Sequence, residues 1–342
     1  MNNKSIERIA VVVLNYKAPN DTVACVESLL KQSLSNFMIV LVENGSQDNS
    51  ADVLETLKKK HSSRVTLLLN KKNLGFTGGV NAGISWSRDN NYDYVALLNN
   101  DALADPKWLE TLLLRARSDK SLGIVTSLLL HADGKTIDST GEQYSIWGLS
   151  FPRGRGKKAM TAPEGGLVFG ATGGASLYRT ALFDDIGIFD NAFFAYYEDV
   201  DLSFRAQLRG WKVYYEPKAT AYHKQGATSS KMPGFTVYQT FKNLPIVYTK
   251  NVPRPLLISV GIRFWFAYII ILLNAIKNGN AQPALKGFFK GIVLFWSHAI
   301  PARFAIQSRK TAKTTYIKEL LWPDLPPDQK GLRALRKFFT GK

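Results

Sequence analysis

The chain has 342 residues, of which 45% are hydrophobic and 21% are charged. This length suffices for one large or two modest domains with a substantial core, and the composition excludes both a disordered chain and a polytopic membrane protein. Cys25 is the only cysteine, which excludes a disulfide framework and a thiolate metal cage and favours a reducing compartment.

The formal net charge of +17 is unevenly distributed along the chain. Residues 251–342 contain 15 Lys or Arg and 3 Asp or Glu and therefore carry +12, whereas the first 250 residues carry +5. This asymmetry predicts nucleic acid or an anionic membrane surface as the neighbour of the C-terminal third. Residues 1–8 are polar and show no signal peptide, so we expect a protein on the cytoplasmic side.

The first hundred residues alternate between apolar runs and helical patterns. Buried strands are predicted at 8–14, 37–42, 65–69 and 94–98, and helices at about 20–32, 52–60 and 79–88. Strands that alternate with helices predict an α/β fold with a doubly wound, mostly parallel sheet. Because ligands bind beyond the carboxyl ends of such strands, the polar residues that end each strand should converge on one functional rim.

The strand at 94–98 ends at a polar cluster over residues 99–101, with the sequence Asn-Asn-Asp. At such a position a lone carboxylate like Asp101 can hold a hard cation, Mg²⁺ or Mn²⁺, against substrate phosphates. The alternative is a plain Asx-rich turn between strand and helix. The following helix is predicted to start with Asp105 as its cap and Pro106 as its first residue.

Two glycine-rich segments follow other predicted strands. Residues 73–81, NLGFTGGVN, allow close approach of a phosphate ahead of a helix whose N-terminus favours anions. Their spacing is neither that of GxGxxG nor that of a P-loop, so a tight loop is the alternative. After a strand at 122–130, residues 151–166 are basic and rich in Gly and Pro. They predict a mobile surface loop, which could close over an anionic substrate.

Residues 193–205, FFAYYEDVDLSFR, place three carboxylates within four positions directly after an aromatic run. An aromatic wall desolvates a carboxylate and raises its proton affinity toward that of a useful general base, for which Asp199 is a candidate. A helix is predicted at about 199–209, closed by Gly210, and a simple acidic helix cap is the alternative. His223 follows the next predicted strand, although a lone histidine is more often structural than ligating.

The C-terminal third contains the most apolar part of the sequence. Residues 255–276 are long enough to span a membrane, but Arg263 lies in the middle, where a charge is costly in hydrocarbon. Residues 286–300 predict a second, shorter amphipathic helix that basic residues follow. We interpret both as interfacial helices held on an anionic leaflet. The alternative is that they pack on the rest of the chain or form a dimer interface.

In chain order, seven motifs occur between residues 9 and 226: LNY, VENGSQD, NLGFTGGVNAG, LLNND, GATGGASLYR, GIFDNAFFAYYEDVDLSFR and YH. This series resembles the family 2 glycosyltransferases, and most closely the bacterial rhamnosyltransferase-like enzymes of cell-wall and surface-polysaccharide assembly. The resemblance implies a GT-A-type, Rossmann-like catalytic domain with helices flanking the sheet over 1–235. A helical, basic, membrane-associating region would follow over 236–342.

The resemblance also implies residue roles. The nucleotide-sugar donor would be bound by residues at the strand ends and in the glycine-rich segment, namely Asn15, Tyr16, Glu43, Asn44, Asn73, Gly75, Gly79, Asn81 and Asn100. The divalent cation, Mg²⁺ or Mn²⁺, would be held by Asp101 and His223, and Asp199 would be the catalytic base. The acceptor would be contacted by Glu198, Gly173 and Gly174. The sequence departs from the family pattern at Glu43 and Asn99, where the family usually has aspartate.

The implied activity is inverting transfer of a sugar, with rhamnose from dTDP-rhamnose favoured, to a hydroxyl of a lipid-linked or polysaccharide acceptor. The implied location is the inner face of the cell membrane, with the protein bound peripherally. Two other functions stay open, a nucleic-acid-binding protein and a non-catalytic nucleotide-sugar-binding scaffold. The basic residues lie beside long apolar runs rather than in a solvated stripe, which favours lipid over nucleic acid as partner.

Overall fold

The structure is a computed structural model that describes residues 7–224, 232–327, 329 and 331–333. Three features of the sequence therefore lie outside the described residues. They are the polar residues 1–6, the end of the motif series at 225–226, and the basic residues Lys330, Arg336, Lys337 and Lys342.

Strands and helices alternate in the first half of the chain, as predicted, and helices dominate after residue 235. The strands are β1 (Ile9–Asn15), β2 (Met38–Glu43), β3 (Val65–Leu69), β4 (Tyr94–Leu98), β5 (Ala102–Ala104), β6 (Leu122–His131), β7 (Ile137–Ser139), β8 (Glu142–Tyr144), β9 (Ser150–Pro152), β10 (Gly166–Val168), β11 (Ala175–Arg179) and β12 (Lys212–His223). The α-helices are α1 (Pro19–Leu30), α2 (Ser50–Lys60), α3 (Gly75–Asp89), α4 (Trp108–Ser118), α5 (Thr180–Ile186), α6 (Glu198–Leu208), α7 (Phe235–Asn251), α8 (Arg254–Ala275), α9 (Ala281–Leu294), α10 (Ile300–Ser308) and α11 (Thr314–Leu320).

One ten-stranded sheet organises the first 224 residues, with its main path in the order β10-β12-β6-β11-β4-β1-β2-β3. Strands β4, β1, β2 and β3 are parallel, and β12 runs parallel to β6. The sheet is mixed because β11 lies antiparallel between β4 and β6. The carboxyl ends of β1 to β4 therefore lie on one edge, which confirms that the polar strand ends converge.

The sheet is buried on both faces, which accounts for the continuous apolar runs of its strands. One core cluster packs residues of α1 and α4 against one face, and a second packs α3, α5 and α6 against the other. A third cluster joins α6 and the β8 region to α7, α8 and α9. The predicted domain boundary at 235/236 falls at the start of α7, and this third core contains side chains from both sides of it.

Two predicted helix starts were wrong. Helix α3 begins at Gly75 rather than at Gly79, because the Asn73 carboxamide oxygen accepts a hydrogen bond from the Gly75 N–H at 2.8 Å. Helix α4 begins at Trp108, and neither Asp105 nor Pro106 belongs to it. The residues before it form β5, which pairs with β12, and the Asp105 N–H bonds to a β12 carbonyl. The Asp105 carboxylate still accepts from the Lys107 N–H at 3.1 Å, so the predicted polar turn forms, but it lies before the helix rather than at its first position.

The basic segment at 151–166 is exposed over much of its length but is anchored at several points. Strand β9 pairs with β8, and a short 3₁₀ turn spans Ala159–Thr161. The Arg155 guanidinium forms an ion pair with Asp138 at 2.8 Å and also donates to the Asp138 carbonyl. The predicted loop is therefore tied to the strand β7 that carries Asp138.

Helix α7 contains a proline, and the neighbouring helix compensates for it. Pro245 has no N–H, so the carbonyl of Phe241, four residues earlier, loses its helical hydrogen bond. The Tyr268 hydroxyl of α8 donates to that carbonyl at 2.7 Å. This contact joins α7 and α8 inside the third core, where both Phe241 and Tyr268 are buried.

Helices α8, α9 and α10 form one helical run, Arg254–Ser308, with a kink at Asn278 and Gly279. By length and apolar composition, this run contains one segment that could cross a membrane, and a third of that segment is buried against the protein. The run packs on α7, yet large apolar side chains on its outer face remain exposed. They include Ile258, Ile262, Trp265, Phe266, Ile269, Leu273, Phe289, Ile292, Val293, Trp296 and Phe304.

Candidate active site at the carboxyl edge of the sheet

The ends of β1 and β4 meet through a chain of buried amide and hydroxyl groups. The Thr22 hydroxyl donates to the Asn15 carboxamide oxygen at 2.8 Å and accepts from the Asn100 amide at 3.0 Å. Asn15 is fully buried, whereas Asn100 is partly exposed at the rim. Tyr16 follows β1 directly, and the Lys17 ammonium lies 5.5 Å from its ring centroid. This edge thus presents an aromatic ring, an amide and a cation side by side.

The end of β2 is built around two side chains that hold the adjoining loops. The Glu43 carboxylate is buried and accepts hydrogen bonds from the Gly45 and Ser46 N–H groups at 3.0 and 2.9 Å. The Asn44 amide donates to Asn73 and to the Gly75 carbonyl, and its oxygen accepts from the Leu74 N–H. Glu43 and Asn44 therefore hold the loops that follow β2 and β3, and Asn73 contacts Asn44 directly.

The glycine-rich segment is used largely by the fold itself. A Cβ atom at Gly79 would lie 2.3 Å from a methyl group of Leu14, so this glycine lets α3 pack closely on β1. Gly75 has a φ of 74° and lies against the Phe194 carbonyl. The Asn81 amide donates to Phe189 and Asn191, and its oxygen accepts from the Phe189 N–H. In this structure Asn81 thus faces the 189–191 turn rather than the rim.

Strand pairing brings Asp101 and His223 together across more than a hundred residues of sequence. Strand β5 pairs antiparallel with β12 so that Ala102 lies opposite His223, and the Asp101 carbonyl accepts from the Lys224 N–H. The Asp101 carboxylate and the His223 Nε2 are 3.0 Å apart. The other ring nitrogen, Nδ1, lies 2.7 Å from Asp138 Oδ2 on β7.

Asp138, which no sequence motif singles out, fixes the orientation of the His223 ring. Burial raises the pKa of Asp138, but the hydrogen bond to His223 and the charge of Arg155 outweigh it and lower the pKa. Burial opposes a charge on His223, yet its hydrogen bonds to Asp101 and Asp138 raise its pKa to about 9. The two carboxylates thus create a position on the rim that favours positive charge.

The chemistry of this donor set fits a divalent cation. In the part of the chain that the structure describes, no cluster of three or more His, Cys, Asp or Glu is arranged as a complete metal site. Asp101 and His223 nevertheless offer one carboxylate oxygen and one imidazole nitrogen on the same side. A histidine whose second nitrogen is held by a carboxylate is the usual arrangement of a metal-ligating imidazole. Two protein ligands leave the remaining positions for phosphate oxygens and water.

The turn at 172–174 connects this rim with the acidic cluster. The Gly173 N–H donates to Asp199 Oδ2 at 3.0 Å, and the Gly174 carbonyl accepts from the Asn99 N–H at 2.9 Å. A Cβ atom at Gly174 would lie 3.1 Å from the Asn99 amide, so little space separates the two. The fold thus brings together the strand-end motif and the start of α6, as the convergence of motifs suggests.

Three carboxylates at this point differ in their surroundings. Burial raises the pKa of Asp199, while the N–H groups of Gly173 and Val200 favour its charged form. Glu198 is buried, and burial followed by the charge of Asp199 holds its pKa well above the ordinary value. Glu142, which sequence reasoning missed, shows the same shift for the same two causes. Of the three, Asp199 is the carboxylate whose charged form accepts hydrogen bonds from the N–H groups of both Gly173 and Val200.

The family model for glycosyl transferase family 2 matches residues 10–187. The chain belongs to this family. In this family 2 glycosyltransferase, the matched span contains the carboxyl ends of β1 to β4 and Asp101, but it ends before Asp199 and His223. The resemblance stated from the motifs is thereby confirmed at the level of the family and of glycosyltransferase activity.

Two curated relatives align with a longer part of this glycosyltransferase than the family model does. A low-salt glycan biosynthesis hexosyltransferase from Haloferax volcanii is 22% identical over 297 residues, which cover 84% of this chain and 92% of that protein. An N-acetylglucosaminyl-diphospho-decaprenol L-rhamnosyltransferase from Mycobacterium tuberculosis is 25% identical over 249 residues, which cover 66% and 78%.

A solved structure resembles the fold of this glycosyltransferase along most of its length. A mannosyltransferase from Pyrobaculum calidifontis, in complex with GDP-Man and Mn²⁺, matches with a TM-score of 0.55 at 14% identity and covers 93% of this chain and 88% of its own. Together with the mixed sheet and its flanking helices, this match confirms the predicted GT-A-type fold.

Proposed function

We propose that this glycosyltransferase transfers rhamnose from dTDP-rhamnose, with inversion, to a hydroxyl of a lipid-linked or polysaccharide acceptor in cell-wall or surface-glycan assembly. The observation that carries the proposed reaction is the placement of Asp199 beside the Gly173–Gly174 turn, which also contacts the strand-end motif. The sugar rests on the motif resemblance and on the rhamnosyltransferase relative, whose name specifies a diphospho-decaprenol substrate.

The donor would lie along the carboxyl edge formed by β1 to β4. Tyr16, Lys17 and Asn100 are accessible there for a nucleoside diphosphate, while Glu43 and Asn44 hold the surrounding loops. Asp101 and His223 would hold the divalent cation, which the neighbour solved with GDP-Man and Mn²⁺ also suggests. When bound, Mg²⁺ or Mn²⁺ would stabilise the developing charge of the departing diphosphate as a Lewis acid.

Asp199 would act as the base. Its ionised form is held by two N–H donors, and it would take the proton from the acceptor hydroxyl as that oxygen attacks the anomeric carbon. The sugar–phosphate bond breaks on the opposite face, so the configuration inverts and no covalent intermediate with the protein forms. Glu198 would contact the acceptor, and the raised pKa values of Glu198 and Glu142, caused by burial and by the charge of Asp199, favour their protonated, hydrogen-bond-donating forms.

The outer face of the 254–308 helical run would place the enzyme on an anionic membrane. This run contains six Lys or Arg and no Asp or Glu, and its exposed apolar side chains would enter the interface. The location would be peripheral, on the cytoplasmic face, where a lipid-linked acceptor is accessible. The alternative to membrane binding is that two copies of the chain form a homodimer through this face.

A thermal-shift screen of dTDP- and UDP-sugars, with Mn²⁺ or with a chelator, tests the donor and the metal together. Ligand at about 100 times its Kd stabilises the folded state by about 2.7 kcal/mol, which raises the Tm by several degrees. We expect the largest shift with dTDP-rhamnose and Mn²⁺ and a much smaller shift in the chelator or in Asp101→Asn. An equal shift in the chelator would contradict the metal role, and no shift with any dTDP-sugar would contradict the donor.

A further inference from the structure

The segment directly before Asp199 is held in a strained backbone conformation. Phe194, Tyr196 and Tyr197 have φ angles of 64°, 67° and 70°. For bulky aromatic residues such values are genuine outliers, and they persist only where surrounding contacts enforce them. Helix α6 begins at the next residue, Glu198, so the geometry of this segment sets where the carboxylates of α6 point.

Asn243 of α7 supplies the enforcing contacts. Its amide nitrogen donates to the carbonyl oxygens of Phe193, Ala195 and Tyr196, at 3.1, 2.9 and 2.8 Å. Asn243 is fully buried, and its amide orientation is fixed because three carbonyl oxygens can only accept. One side chain of the C-terminal region thus binds three carbonyl groups within four residues of the strained segment.

Lys242 strengthens the same attachment. Its ammonium group donates to the carbonyls of Ala192 and Phe193, at 3.0 and 2.9 Å, from a side chain that is itself buried. Burial, with the charge of Lys290, lowers the pKa of Lys242 to about 8, so it carries its charge over most of the physiological range. A charged donor makes a stronger hydrogen bond to a carbonyl than a neutral one does.

The opposite side of the segment rests on the donor-side helix. The Phe194 carbonyl accepts from the Thr77 N–H, which is one of the free donors at the start of α3, at 3.1 Å. Gly75 leaves room for this approach, because a Cβ there would lie 2.4 Å from the Phe194 oxygen. The segment at 193–197 is therefore clamped between α7 on one side and α3 on the other.

We propose that Asn243, supported by Lys242, is a positioning residue of the transferase reaction, which holds the strained 193–197 segment so that Asp199 faces the Gly173–Gly174 turn. This inference rests on the proposed role of Asp199. It makes α7 part of the catalytic architecture rather than only the start of a membrane-associating region. Removing the clamp lets the segment relax toward ordinary φ angles, which rotates the start of α6.

The test uses the full-length chain with three substitutions. Asn243→Asp keeps the shape but sets a carboxylate against three carbonyl oxygens, and Lys242→Met keeps the buried stem but removes its donor. Thr249→Val is the matched control, because it lies buried on α7 and its hydroxyl has no hydrogen-bond partner among the described residues. Amide hydrogen exchange over 193–199, donor binding and steady-state kinetics are measured for each.

We expect faster exchange over 193–199 in Asn243→Asp, with kcat reduced about 100-fold and donor affinity changed less than about threefold. Lys242→Met should also lower kcat by more than it lowers donor affinity, although by a smaller factor. Thr249→Val should match the wild type. An unchanged kcat in both variants would overturn the proposal, as would a lost kcat with unchanged exchange. If Asp199→Asn retains full transfer, the base assignment fails, while the exchange data still decide whether Asn243 holds the segment.

Discussion

At the scale of single residues, hydrogen bonding separates carboxylates that the sequence presents as equivalent. Asp199 receives two N–H donors, whereas the Glu198 Oε2 atom is buried without a partner among the described residues. A buried carboxylate that accepts hydrogen bonds ionises more readily than one that does not. The aromatic-acidic motif therefore offers several candidate carboxylates, and the contacts favour Asp199 among them as the proposed base.

Asp199→Asn tests that assignment directly. The amide keeps the shape of the side chain but cannot take a proton, so we expect transfer to fall at least about 100-fold. Binding of the nucleoside diphosphate should persist, because the donor-side residues lie on the strand ends and not on α6. Turnover is measured with the intact donor, and binding by calorimetry. Substantial residual transfer in the variant would show that another group removes the proton.

Arg155→Gln tests the electrostatics around the base through the pH profile. Burial raises the pKa of Asp199, and the charge of Arg155 opposes this rise. Because the base must be ionised to act, activity is lost as pH falls through this pKa. Removing the charge raises the pKa, and the acidic limb of kcat/KM should move to higher pH at saturating Mn²⁺. Lys157→Gln is the control, since it removes the same charge from an exposed position of the same segment. Identical profiles for the two variants would contradict this electrostatic effect.

At the scale of elements, the sequence predicted what local patterns determine. The predicted strands β1 to β4 and their polar ends were correct, because burial on both faces of a sheet and polarity at a strand end are local signals in the sequence. The start of α4 was misplaced because β5 pairs with β12, which is a contact beyond the local window. The start of α3 was misplaced although its Asn73–Gly75 hydrogen bond spans only two residues, so that local signal was overlooked. Asp138 and Glu142 were missed because the former meets His223 from 85 residues away and the latter lies on a short strand without a sequence pattern.

Tyr268→Phe tests how α8 compensates for the proline in α7. Without the hydroxyl, the Phe241 carbonyl stays buried and unpaired, so we expect a loss of about 1–3 kcal/mol in the free energy of unfolding. Urea denaturation measures this loss. Tyr144→Phe is the matched control, because the Tyr144 hydroxyl is buried in the same core with no partner among the described residues. Equal losses in the two variants would mean that the Tyr268 hydrogen bond adds nothing.

At the scale of the whole molecule, the C-terminal helices serve the catalytic half and also present a surface of their own. Phe264 and Tyr268 of α8 lie in one core with Tyr144 and Phe204, so deleting residues 255–342 would open that core. A deletion therefore cannot separate membrane binding from folding. The packing of these helices on the rest of the chain is observed on one side, whereas their binding to an anionic leaflet stays a prediction for the outward apolar face.

Point substitutions on the outer face separate the two roles. Ile262 and Phe266 lie one turn apart on α8 and are 71% and 51% exposed. The double variant Ile262→Glu/Phe266→Glu removes two apolar side chains, each of which contributes about 1.5–3 kcal/mol when buried, and adds charges that an anionic leaflet repels. We expect binding to phosphatidylglycerol vesicles to weaken at least about 100-fold, with the free energy of unfolding nearly unchanged.

Leu114→Glu is the control for this experiment, because Leu114 is 58% exposed on α4, away from the C-terminal helices. It should bind vesicles like the wild type, and both proteins should bind less tightly at high salt, because screening weakens the attraction between basic residues and lipid. A different outcome would assign this face to self-association. In it, the wild type does not bind vesicles and sediments as a dimer, and the double variant sediments as a monomer. Vesicle binding that survives in the double variant would place the membrane contact elsewhere on the chain.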